Sequence, residues 1–240
     1  MADTNAKLLL YVNAVAGTFP LTDGDKVREA LRMIGDPPRL QLLALRRYIR
    51  KAKSLDAQWA WDQAHILKFE NGAESAPIRA EIRKVKTAFE TLNPGYSLGV
   101  SPVRSLARQV DKFRGNATVN KAAVGLEQAC LEAMDDYPNT PDPEKTQQFR
   151  TYLAKCSVRP EPSSAAPGLS DHGQMHAIDF VVLRITGRKL IAGTSTATIR
   201  DMWDAPGWTE KLRAAVTSAG DAFDGPLKSP REPWHYTRKR

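Results

Sequence analysis

Long apolar runs are missing from this sequence. No stretch approaches the roughly 20 apolar residues of a membrane-spanning helix, which excludes stable membrane insertion of that kind. The N-terminal stretch MADTNAKLLLYVNAVAG has one basic residue and a short apolar run broken at Asn13. It does not read as a secretory signal peptide. Cysteine is scarce, with Cys130 and Cys156 the only two. They form no metal motif. Cys130 falls on an apolar helical face and Cys156 ends another helix, which reads as buried thiols, with a disulfide left open. Internal repeats and low-complexity tracts are also lacking. No arrangement of basic and aromatic residues matches a nucleic-acid motif, so nucleic acid is not an expected partner. Histidine is scarce as well, at four residues.

What is present is ordinary for a soluble globular protein: 42% hydrophobic and 26% charged residues over 240 positions. That length suits one large domain or two small ones. The formal net charge of +8 favours an anionic partner such as nucleic acid, a membrane surface or a bacterial envelope.

The few histidines are not spread evenly. His172 and His176 lie in SDHGQMHAIDF, and His235 lies in REPWHYT, each stretch with a carboxylate beside it. A catalytic zinc takes three protein ligands and keeps a fourth position open for water. His172, Asp179 and His235 supply such a set, and Glu232 supplies a base for the water proton. The same ligand types also suit manganese or iron. His172 and Asp179 are seven positions apart. An unbroken strand would put them on opposite faces. A turn around Gly173 and Gln174, followed by a strand from about Ala177, is therefore expected. Pro233 keeps REPWH out of a regular helix and biases Glu232 to extended geometry.

These motifs resemble those of the zinc metallopeptidases that include the D-Ala-D-Ala carboxypeptidases and the phage L-Ala-D-Glu endopeptidases. The family's first motif, S-x-H-x-x-G-x-A-x-D, is met at Ser170, His172, Ala177 and Asp179, with Met175 in place of glycine. Its second, E-x-W-H, is met at Glu232, Trp234 and His235. Ser101, Arg104 and Ser105, followed by Gln109, resemble its S-G-Y-R-S element, with Pro102-Val103 replacing Gly-Tyr. The resemblance runs from about residue 86 to the C-terminus. It implies zinc on His172, Asp179 and His235, and Glu232 as catalytic base. It also implies that Arg104 stabilises the substrate carbonyl or transition state. Ser170, Gln109, His176 and Trp234 are candidates for substrate binding. The implied substrate is a peptidoglycan stem peptide. Without a signal, an endolysin-like enzyme is expected, made in the cytoplasm and reaching the wall by phage-type or machine-assisted release. The alternatives are a cytoplasmic D-Ala-D-Ala-type dipeptidase or carboxypeptidase, and a non-catalytic homologue that binds metal and wall.

The expected fold is α+β, with a small antiparallel sheet, packed helices and a helix-rich N-terminal half. Residues 1–75 are expected to form a helical region, either a wall-binding module or part of the same domain, and residues 76–240 a zinc DD-peptidase-like catalytic domain. Leu42, Leu45 and Ile49 share one helical face, with Arg46, Arg47, Arg50 and Lys51 mostly on a solvated basic face. Helix is expected to continue through WAWDQAHILKF. Ile78, Ile82, Val85, Phe89 and Leu92 mark a further amphipathic helix opened by Pro77. Asn120 is expected to cap a helix running to Met134. The Pro- and Ser-rich segment Pro160–Gly168 is expected to rim the active site. Ala177–Ile185 reads as a buried strand.

Overall fold

The computed structural model describes residues 2–239. In chain order the helices are α1 (Ala2–Ala16), α2 (Leu21–Ile34), α3 (Pro38–Lys51), α4 (Leu55–Gln58), α5 (Gln63–Asn71), α6 (Ala76–Leu92), α7 (Leu106–Gly115), α8 (Ala117–Ala133), α9 (Pro143–Lys155) and α10 (Trp208–Ala219). The strands are β1 (Tyr96–Val100), β2 (Ala177–Arg184), β3 (Leu190–Ala192), β4 (Phe223–Asp224), β5 (Leu227–Lys228), β6 (Arg231–Glu232) and β7 (His235–Arg238). The fold is α+β, as expected. Among the described residues, no helix is long and apolar enough to cross a membrane.

The chain divides into two compact units, residues 1–60 with 104–170, and residues 61–103 with 171–240. This differs from a single boundary near residue 75. Each unit is built from two separated lengths of chain, which local composition cannot reveal.

The first unit is helical. Tyr11 and Val15 of α1, Leu42 and Leu45 of α3, Phe113 of α7, Leu126 of α8 and Phe149 of α9 meet in one core. Asn116, not Asn120, caps α8: its Oδ1 accepts from Thr118 N at 2.9 Å and Val119 N at 3.1 Å. An Asx side chain serves a helix best when the next residues are the first helical ones, and Asn120 lies a turn too late. Arg46 is not on a solvated face. It is 6% exposed, and its Nε donates to the Cys156 carbonyl at 2.8 Å. The Pro160–Gly168 segment belongs to this unit. The Tyr48 hydroxyl donates to Pro167 O at 2.7 Å, and a Cβ on Gly168 (φ +89°) would lie 2.8 Å from the Trp59 ring. Only glycine fits both that backbone and that approach.

The second unit holds the sheet. Its strands run β1-β2-β7-β4, with β3 also paired to β2, and the pairings are antiparallel. Ile178, Phe180, Val182 and Tyr236 join Leu98, Val85, Phe89, Leu212 and Val216 in the second core, and α6 packs against α10 and β1. Of the apolar stripe read at Ile78, Ile82, Val85, Phe89 and Leu92, the residues Ile78, Val85 and Phe89 are buried as the helical period requires, Ile82 packs partly buried against the same core, and Leu92 in the last turn is 54% exposed. Helix does not run through WAWDQAHILKF. Trp59 is extended (φ −67°, ψ 135°), and Asp62 starts α5 as an N-cap, accepting from His65 N at 2.6 Å. The capping carboxylate outweighs the helical spacing of the aromatics before it.

Candidate metal centre

The predicted turn is a single 3₁₀ turn at Asp171–Gln174. It carries His172 and is closed by His176 N donating to Asp171 O at 2.9 Å. Trp61 N donates to Gly173 O at 3.1 Å and holds the turn from outside. Met175 leaves it with φ +56°. That left-handed backbone favours glycine, so the motif's glycine has a conformational reason. Here the Met175 side chain is 9% exposed and packs into the second core.

Strand β2 begins two residues later. Asp179 lies directly opposite His235 across the β2–β7 ladder. Side chains of directly opposed residues share a face with Cβ atoms roughly 5 Å apart. On the other face, Phe180 and Tyr236 pack ring against ring at 5.8 Å. Strand alternation thus separates the ligands from the core residues beside them. Tyr236 is 1% exposed and points away from His235, and burial raises its hydroxyl pKa. It therefore cannot serve an oxyanion beside the metal ligands.

The three predicted ligands come together. His172 Nε2 lies 3.1 Å from His235 Nδ1 and 3.4 Å from Asp179 Oδ1, and His235 Nδ1 lies 3.1 Å from Asp179 Oδ1. Their side chains are 8%, 12% and 3% exposed for His172, His235 and Asp179. In a tetrahedron with metal–ligand bonds of about 2.0–2.1 Å, neighbouring ligand atoms are about 3.3 Å apart. The observed separations fit that geometry. A cation at the centre engages all three lone pairs at once, which a proton on any one edge does not. The group can hold a metal ion. Glu232 Oε2 is 3.6 Å from His235 Nδ1, with its side chain 21% exposed. The carboxylate is therefore beside the ligands yet open to solvent.

The segment bearing Glu232 and His235 is braced by residues that sequence reasoning missed. Arg231 forks onto Asp204, Nη1 to Oδ2 at 2.9 Å and Nη2 to Oδ1 at 2.6 Å. The Arg231 hydrogen bonds hold the Asp204 carboxyl below its ordinary pKa. Trp203 packs at 5.9 Å from Trp234. Nothing in the sequence links positions so far apart. Trp234 itself is 2% exposed, which leaves it no surface for a substrate and makes it a packing residue. His176 is a half-buried residue whose backbone carbonyl accepts from Arg238 N at 2.8 Å, joining the turn to β7.

Arg104, Gln109 and Ser170 come together in the first unit. Gln109 is 3% exposed, and its amide is used on backbone: Nε2 donates to Arg104 O at 2.8 Å, while Oε1 accepts from Gly168 N at 2.9 Å and Ser170 N at 3.3 Å. Its evident work is to tie two loops together. Arg104 Nη1 is 3.5 Å from Ser170 Oγ.

Compared with models of known protein families, with curated proteins and with solved structures, the chain gives no match.

Proposed function

We propose that the chain is a zinc-dependent, endolysin-like peptidase that hydrolyses an amide bond in peptidoglycan stem peptides. One observation carries the reading: His172, Asp179 and His235 converge, with the Glu232 carboxylate 3.6 Å from His235 Nδ1. A site that only stores metal needs ligands but no adjacent base. The pairing of an Asp-bearing strand with a His-bearing strand supports a zinc DD-peptidase-like second unit.

When bound, zinc supplies Lewis acidity and eases the ionisation of water. The work of the chain's own residues is proton transfer and alignment. Glu232 takes a proton from the attacking water and returns it to the leaving amine. The β2–β7 ladder holds Asp179 and His235 in register, and the 3₁₀ turn delivers His172. The Arg231–Asp204 fork steadies the strand next to Glu232. The net charge of +8 favours an anionic wall over a neutral substrate.

The test is digestion of purified peptidoglycan by zinc-loaded full-length protein and by Glu232→Gln, with released fragments identified by mass spectrometry. Fragments from the wild type alone are expected, and they name the bond. No fragments from either protein, with zinc still bound, overturn the proposal. Cleavage of a D-Ala-D-Ala dipeptide without any release from sacculi would move the chain to the small-dipeptide enzymes.

A further inference from the structure

The first unit contains a second group of reactive side chains. Cys130 on α8 is fully buried in the helical core, while Cys156, just after α9, is half-buried. Cys156 packs against the helical core that holds Cys130, and the Tyr152 hydroxyl donates to Ala129 O at 2.8 Å, which brings the last turn of α9 to the residue before Cys130. Cys156 also lines an open cavity of about 690 Å³ together with Arg46, Arg50, Lys155, Arg159 and Glu161. A small solute can therefore reach Cys156, whereas Cys130 has no exposed surface. The lining is cationic, and the Glu161 carboxylate is already engaged by Arg47 at 2.8 Å.

We propose that Cys156 is a site of reversible oxidation by a peroxide, with Cys130 as the thiol that converts the oxidised form to an internal disulfide. In the first step the Cys156 thiolate attacks one peroxide oxygen. The O–O bond breaks, a sulfenic acid forms and hydroxide leaves, so sulfur loses two electrons and the peroxide gains them. In the second step the Cys130 sulfur attacks the Cys156 sulfur. The S–S bond forms, the S–O bond breaks, and the hydroxyl leaves with the Cys130 proton as water. A thiol or dithiol reductant reverses the change by exchange.

The geometry distributes the two roles. The thiolate is the nucleophile, so the reacting cysteine must be both accessible and easily ionised. The hydrogen bond with Cys130 holds the Cys156 thiol below its ordinary pKa. Tyr152 and Arg46 act in the same direction, and burial opposes them. That same hydrogen bond, followed by burial, raises Cys130. One thiol is thus open and ionisable, and its neighbour is sealed in and protonated.

The experiment uses the reduced full-length protein. It is exposed to hydrogen peroxide in small molar excess, quenched with catalase, denatured and alkylated, and mapped as non-reduced peptides by mass spectrometry. The expected result is a Cys130–Cys156-linked peptide that disappears with dithiothreitol, both thiols being lost to alkylation together. In Cys130→Ala, dimedone should trap a sulfenic acid at Cys156. In Cys156→Ser, Cys130 should remain fully alkylatable. Wild-type protein whose two thiols still alkylate after peroxide overturns the proposal. So does a link found only between two copies of the chain, or oxidation of Cys130 in Cys156→Ser. The wild-type map decides the matter even if a variant fails to fold.

Discussion

Replacing Asp179 by Asn tests the metal centre where a ligand and a structural polar group make opposite predictions. The substitution keeps the side chain's shape and removes its charge. Asp179 is 3% exposed and sits 3.1 and 3.4 Å from the two histidine nitrogens. A metal that binds only the folded protein, at a thousand times its dissociation constant, stabilises it by about 4.1 kcal/mol. Loss of an outer partner of a metal site costs up to about 100-fold in affinity, and loss of a ligand should cost at least as much. That is about 2.7 kcal/mol, which leaves at most about 1.4 kcal/mol of zinc stabilisation. At about 4 °C per kcal/mol for a unit of this size, zinc should raise the wild-type melting temperature by about 16 °C and that of Asp179→Asn by no more than about 6 °C. In metal-stripped protein the substitution should cost only about 1 kcal/mol, the net worth of a hydrogen bond. Scanning calorimetry of both proteins, stripped and zinc-loaded, gives all four numbers. Equal zinc shifts in the two proteins, or none in the wild type, would refute the reasoning.

Other expectations follow from single features. Glu232→Gln should keep its zinc, measured by mass spectrometry of bound metal, and lose about 10²- to 10⁴-fold in turnover. If Arg104 has the role that the resemblance implies, Arg104→Ala should lose about 10²-fold in kcat/KM with folding unchanged. Gln109 bonds the Arg104 backbone carbonyl, not its side chain, so the loop tie survives; unaltered turnover would remove Arg104 from the chemistry. Met175→Gly relieves a left-handed backbone worth about 1–2 kcal/mol but forfeits a buried side chain worth about 1.5–3 kcal/mol. A net loss of about 1 kcal/mol in urea unfolding is expected, and a gain would show that the methionine is not a packing residue. Cys156, lowered to about 6, should alkylate with a half-maximal rate near that pH, against about 8.5 for a free thiol. The sign follows from the depressed folded-state value. The fold's contribution from this group is full above about 8.5 and is lost as pH falls through the folded-state value. A midpoint near the free-thiol value would contradict the hydrogen bonding around Cys156.

Where an element's signal is local, the sequence is readable. The burial of Ile78, Val85 and Phe89 on α6 and the strand after Met175 depend on residues within a turn or two, and both are present. Errors arise where two local signals compete or where a distant group intervenes. Asp62 claims the start of α5 against the aromatic spacing, and Asn116 claims α8 before Asn120. Arg46 has the spacing of a solvated face, yet a carbonyl 110 positions away draws it inward.

The site shows the same division. Residue type and motif resemblance singled out His172, Asp179, His235 and Glu232 as candidates, and the odd separation of His172 from Asp179 demands the turn that is present. Whether those residues meet was a matter for tertiary structure. Asp179 and His235 are 56 positions apart and become neighbours only through the register of β2 on β7. A slip of one residue would turn one of them to the opposite face. The Arg231–Asp204 brace, the packing of Cys156 against the core that holds Cys130 and the two-unit division of the chain are likewise set by long-range pairing. Local propensity acts over a few residues, whereas backbone ladders and buried side chains join any two points that packing brings together.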